Sequence, residues 1–190
     1  MTDIELMRYT FRYDHFRYFV RAVEAAPFDP KWDTEGVTSS FVFPPHDGVI
    51  GRRPPGCIEI MPGHEAGPLD VDVAWLDQEP VGVYDTDGVA SACDILTPSG
   101  HVVLADHLNH VVAEHNFGDV SRCRVFVEVY ERAWQVPWGT KSEEHHTILV
   151  WPTSNEQPWW RSAARDERAL TFLDGYRRGG IDPEVGQRDP

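Results

Sequence analysis

Between Arg53 and Arg122 this chain has no lysine or arginine, and only two lysines, Lys31 and Lys141, occur in all 190 residues. The basic-free stretch carries twelve carboxylates: Glu59, Glu65, Asp70, Asp72, Asp77, Glu79, Asp85, Asp87, Asp94, Asp106, Glu114 and Asp119. From Asp29 to Asp119 sixteen acids face three bases, a net of −13, whereas residues 1–28 balance and residues 120–190 carry −1. Nearly all of the formal charge of −14 therefore sits in the middle of the chain. A proteome-wide adaptation to salt would have charged both ends as well. A field of one sign on this scale repels nucleic acid and acidic membrane surfaces and steers cationic partners. The partner it predicts is a basic protein.

Cysteine is also scarce. Cys57, Cys93 and Cys123 fit no zinc spacing, and their odd number argues against a closed disulfide framework. Each lies in an apolar run, where free cysteine is usually a small buried hydrophobe. No stretch approaches the roughly 20 apolar residues of a membrane span. The start, MTDIELMRYTFRYDHF, has neither an apolar core region nor a small-residue cleavage site. A cytoplasmic setting is the expectation. Catalytic signatures are missing too. Ser91, Ser99 and Ser121 lie in no nucleophile elbow, the cysteines lie in a negative field that raises a thiol pKa, and no glycine-rich piece matches a phosphate loop. No cofactor is predicted, and an enzyme is the less favoured reading.

Alternation and turns are abundant. Aromatics make up 12% of the chain, which argues for a folded core rather than acidic disorder. Tyr9, Phe11 and Tyr13 alternate with Arg8, Arg12 and Asp14, and the phase slips near His15 before Phe16, Tyr18 and Val20. That pattern reads as one half-buried strand with a bulge. Further strands are predicted at 37–43, 48–50, 57–61, 70–76, 81–84, 88–93, 101–105, 109–114, 122–130 and 146–151. Punctuation by Pro44-Pro45, Pro54-Pro55, Asp85-Thr86-Asp87-Gly88, Pro98-Ser99-Gly100 and Asn116-Phe117-Gly118-Asp119 comes about every ten residues. The expectation is an all-β antiparallel sandwich or flattened barrel over residues 1–151. A linker, one C-terminal α-helix at 162–177 and a frayed tail complete residues 152–190. Trp75 and Trp151 are expected in the core, and Trp159-Trp160 against the helix.

His107, His110 and His115 form the densest histidine region, with His101, Asp106 and Glu114 nearby. A first-row metal site would need three or four of these to converge, but in a strand His107 and His110 point oppositely. A structural or surface role is the reading. The alternative is a small-ligand-binding or metal-dependent enzyme using residues 101–115. His145-His146 are read as surface histidines. Asp85-x-Asp87-Gly88 resembles a calcium loop only in its first positions, since the twelfth is Leu96 rather than glutamate. A hairpin turn with positive φ at Gly88 explains it.

The order of features resembles one family. Tyr13 to Phe19 form an early aromatic strand before Trp32-Asp33. Asp47-Gly48, Cys57-Ile58-Glu59-Ile60 and Val71-Asp72-Val73 follow, and Phe117-Gly118-Asp119 leads into Arg124 to Tyr130. This is similar to the competence protein J family, over about residues 8–151. The resemblance implies a small acidic β-sandwich that partners and inhibits a nuclease, without catalytic residues. The function read from charge and resemblance together is an acidic module that neutralises a nuclease or toxin. Asp70, Asp72, Asp77, Glu79, Asp85 and Asp87 are the candidate partner-binding residues.

Overall fold

The structure, a computed structural model, describes residues 4–13, 18–25, 50–52, 56–60, 62, 66–131, 141, 143–156 and 160–161. Within them run eleven strands: β1 (Met7–Tyr13), β2 (Tyr18–Ala22), β3 (Ile50–Arg52), β4 (Cys57–Ile60), β5 (Gly67–Trp75), β6 (Val89–Leu96), β7 (His101–Ala105), β8 (Val111–Asn116), β9 (Arg122–Tyr130), β10 (His145–Pro152) and β11 (Trp160–Arg161). They form a six-stranded sheet, β1-β5-β10-β9-β6-β11, and a five-stranded sheet, β3-β4-β2-β7-β8. Among the described residues there is no helix. The expected helix at 162–177 and the strand at 37–43 lie outside them.

Alternation explains the layering. Leu69, Val71 and Val73 of β5, Cys93 and Ile95 of β6, Val125 and Val127 of β9, and Ile148 and Val150 of β10 point inward from the larger sheet. They meet Tyr18 and Val20 of β2, Ile58 and Ile60 of β4, and Val102 and Leu104 of β7. One buried cluster thus fills the space between two sheets, which is how a sandwich holds together. At one end Trp75 of β5 stacks on His115 of β8, with centroids 5.7 Å apart, and Phe117 packs edge-on against both rings.

Several expectations are corrected. The phase slip near His15 does not mark a bulge in one strand, because β1 pairs with β5 in one sheet and β2 pairs with β4 and β7 in the other. The chain changes sheets there, and a change of sheet shifts inward parity as a bulge does. Residues 81–84 form turns, not a strand: Gly82 has φ +75°, and the amides of Val83 and Asp85 donate back to Pro80 and Gly82. One pairing, β10 with β5, is parallel. Trp160 belongs to β11, opposite Ala92 of β6. Trp151 is fully buried as expected, in a second cluster on the outer face of the larger sheet.

Candidate functional site

That outer face is divided. Ala74, Ala90, Ala92, Phe126, Leu149 and Trp151 make an apolar floor, against which Leu76, Val83, Tyr84 and Trp160 pack. The loop of residues 76–88, joining β5 to β6, is therefore seated on the sheet. Tyr84 lies 4.8 Å from Trp160 and 6.3 Å from Phe126 between ring centroids. Beside this floor lies a buried ion pair. Arg124 of β9, 4% exposed, donates from Nε to Oδ1 of Asp94, 1% exposed, at 2.7 Å, and from Nη2 to Oδ2 at 3.2 Å. The same guanidinium reaches Tyr84 Oη at 3.3 Å and the backbone oxygen of Asn155 at 2.9 Å, and lies 3.8 Å from the Glu79 carboxylate. Burial alone would lower the Arg124 pKa, but the bonds to Asp94 and Tyr84 more than reverse that, so it stays charged.

Four of the six candidate partner-binding residues lie on this loop. Asp77, Glu79, Asp85 and Asp87 are all exposed. Among the described residues no cation lies within ion-pair distance of Asp77, Asp85 or Asp87, and Glu79 has only Arg124 beneath it. At the far end, Thr86 donates to Glu128 of β9 and accepts from the Gly88 amide at 2.9 Å. Gly88 does not carry the expected positive φ. A Cβ there would meet the Glu128 carboxylate, the movable end of a side chain, which would have to shift.

Asp70 and Asp72 do share a face of β5, but their setting differs. Arg8 of β1, opposite Asp72 in register, donates from Nε and Nη2 to its two oxygens at 2.8 Å each. Thr10 donates to Asp70 at 2.6 Å and Lys141 at 2.7 Å. Hydrogen bonding by Arg8 holds Asp72 below the usual carboxylate range, and bonds from Lys141 and then Thr10 do the same for Asp70. Asp70, Arg8 and Lys141 line an open hollow of about 460 Å³ with Glu143 and His145. Both cations of that hollow already hold a carboxylate each.

The histidines separate. His110 Nδ1 pairs with Asp106 at 3.0 Å, His115 stacks on Trp75, and His107 Nδ1 is buried without a hydrogen-bond partner among the described residues. Among the described residues no group of three or more His, Cys, Asp or Glu could hold a metal ion. His145 is half-buried and stacks on Tyr130, with centroids 4.7 Å apart. His146 corrects the surface reading, being fully buried. Its Nδ1 lies 2.6 Å from Tyr18 Oη and its Nε2 2.8 Å from the buried Glu144 carboxylate. These partners provide what a buried imidazole needs. Cys57, Cys93 and Cys123 are buried and none is in a disulfide, and burial followed by the Asp94 charge pushes the Cys123 thiol up to about 12.

The class that this geometry defines is a two-sheet β protein with a firmly seated acidic loop on one outer face. Two solved structures are similar to it. One is the crystal structure of ComJ, inhibitor of the DNA-degrading activity of NucA, from Bacillus subtilis. It is 8% identical, with a TM-score of 0.49, and the match covers 80% of this chain and 100% of that one. The other is described as crocagin biosynthetic gene J. It is 13% identical, with a TM-score of 0.47, covering 80% of this chain and 99% of that one. No family model and no curated protein matches the sequence.

Proposed function

We propose that this chain is a cytoplasmic, acidic protein-binding module that inhibits a partner with a basic surface, a nuclease or toxin. The observation that carries the proposal is the loop of residues 76–88. It holds Asp77, Asp85 and Asp87 exposed and without a cation among the described residues, within a stretch of net charge −13. A nuclease cleft is lined by lysine and arginine that meet phosphates. Clustered carboxylates present the same charge to those side chains and speed the encounter. ComJ inhibits the DNA-degrading activity of NucA, and the target assigned to this chain is of that kind. Three buried cysteines outside any disulfide fit a reducing compartment. Asp70 and Asp72 are given a different role, as ion-pair partners that tie Lys141 and Arg8 of β1 to β5.

The test titrates the nuclease activities of the host, separated by charge, with the purified chain at low and high salt. The expected result is stoichiometric suppression of a basic nuclease, with association slowing as salt rises because screening shortens to about 8 Å at physiological ionic strength. Persistence of every nuclease activity at saturating chain would overturn the proposal.

A further inference from the structure

Val81, in the turn of the same loop, is 104% exposed, so its side chain stands in solvent. One exposed apolar side chain is ordinary on a soluble protein. Its setting sets Val81 apart. Leu108, 63% exposed, also stands at a turn, but the carboxylate there, Asp106, is occupied by His110 and by the amides of Leu108 and His110. In the loop that carries Val81, Glu79 pairs with Arg124 at 3.8 Å, while Asp77, Asp85 and Asp87 are exposed and have no cation within ion-pair distance among the described residues. The Val81 backbone is also fixed from both sides. Val83 N donates to Pro80 O at 3.4 Å and Asp85 N to Gly82 O at 2.9 Å. Below them Tyr84 is held in the apolar floor and by Arg124. A loop ordered before binding gives up little conformational entropy on docking. Interfaces draw most of their energy from a few central side chains in well-packed pockets, most often Trp, Tyr or Arg and less often Val, while charges at the rim govern approach.

We infer that Val81 is the apolar anchor of the docking surface, and that the partner is a protein offering an apolar socket rimmed by lysine or arginine. This rests on the reading that the chain inhibits a basic protein, and it divides the labour within the loop. The carboxylates set how fast the partner arrives, and Val81 sets how long it stays. A socket without the basic rim would gain nothing from the loop's charge. A basic surface without the socket would leave Val81 in water.

Two arms test this on the full chain. In the first, a photoreactive benzoylphenylalanine replaces Val81, with a Leu108 replacement as control, and cross-links are formed in host cells. In the second, association and dissociation with the suppressed nuclease fraction are measured for Val81→Ser, Leu108→Ser and the triple variant Asp77→Asn, Asp85→Asn, Asp87→Asn. Val81→Ser should speed dissociation about tenfold or more and leave association unchanged. The triple variant should slow association several-fold at low salt, and Leu108→Ser should change neither rate. Position 81, and not position 108, should cross-link to that nuclease.

The outcomes separate the two ideas. Suppression of a nuclease with Val81→Ser indistinguishable from wild type overturns the anchor and leaves the inhibitor reading standing. A cross-link from position 81 to a basic protein that is not a nuclease, with dissociation from it sped by Val81→Ser, upholds the anchor and overturns the nuclease target. A cross-link only to a second copy of the chain, or no cross-link alongside unchanged kinetics, overturns the anchor.

Discussion

At the residue scale, carboxylates and histidines that look alike in sequence behave differently once their neighbours are known. Asp72 sits opposite Arg8 and takes both of its forked N–H groups. Its carboxyl is therefore lowered, and the sign of the pH effect follows. The stabilisation by the ionised form is complete above the unfolded carboxylate value, about 3.9, and is lost as pH falls through the lower folded value. Arg8→Ala should raise the Asp72 midpoint toward that ordinary value, and the stability difference between the two proteins should shrink in acid. Carbon-detected NMR titration of the carboxyl group checks this; an unmoved midpoint would show that Arg8 is not the cause. His146 makes the complementary case. Strand parity puts His145 and His146 on opposite faces, but parity cannot say which face is buried. Tyr18 and Glu144 decide that, and Tyr18 lies 128 residues away in the chain. His146→Ala removes the imidazole that both contact inside the protein. It should cost about 2–5 kcal/mol, the range for breaking one side of a buried hydrogen-bonded or charged pair. Urea unfolding measures it, and a loss below about 1 kcal/mol would mean that the triad is not structurally important.

At the element scale, the loop of residues 76–88 depends on one side chain that belongs to neither end of it. Arg124 of β9 joins Asp94 of β6 to Tyr84, Glu79 and the Asn155 carbonyl. Arg124→Ala takes the forked partner from a buried carboxylate that keeps Arg122 at 3.6 Å, so the loss should stay below about 3–5 kcal/mol, the cost of a wholly unpaired buried charge. The substitution should also loosen the loop, so that amide exchange at Val83 and Asp85 rises more than in β9 itself. Equal protection of those two amides in variant and wild type would show that the apolar floor alone holds the loop. Strict alternation made some elements readable: β7 and β9 have the bounds that the pattern gives, since Cys123, Val125, Val127 and Val129 all point inward. Val81-Gly82-Val83-Tyr84 misled because four residues of alternation are too few, and Gly82 with positive φ turns the chain back. The sheet change after β1 imitated a bulge. The parallel pairing of β5 with β10 had no local signal, because strands about 75 residues apart share no turn. The exposed carboxylates of the loop were legible from turn chemistry. The cations that occupy Asp70 and Asp72 were not, since Lys141 and Arg8 reach them only through the folded sheet.

At the scale of the whole molecule, the charge of −14 is divided between carboxylates that stabilise the fold and carboxylates that burden it. Asp70, Asp72 and Asp94 each meet a cation. Asp77, Asp85 and Asp87 add to a field in which like charges repel, and such repulsion destabilises a compact state. Their cost is slight because they are exposed and screened. Replacing all three with asparagine should therefore leave stability unchanged or raise it, by about 0.5 kcal/mol at most in low salt, the ordinary scale for surface positions. High salt should erase any gain, since it removes the repulsion that the substitutions remove. Asp70→Asn with Asp72→Asn takes away two charges rather than three, but also the charge and one of the two acceptor oxygens that Arg8, and Thr10 with Lys141, use at each site. That pair should lower stability in low salt, where the triple variant does not. Urea melts of the two variants across a salt series make the comparison. A triple variant less stable than wild type by more than about 0.5 kcal/mol would mean that these carboxylates hold the loop together. They would then be part of the fold, and the case for a surface kept charged for a basic partner would lose its physical ground.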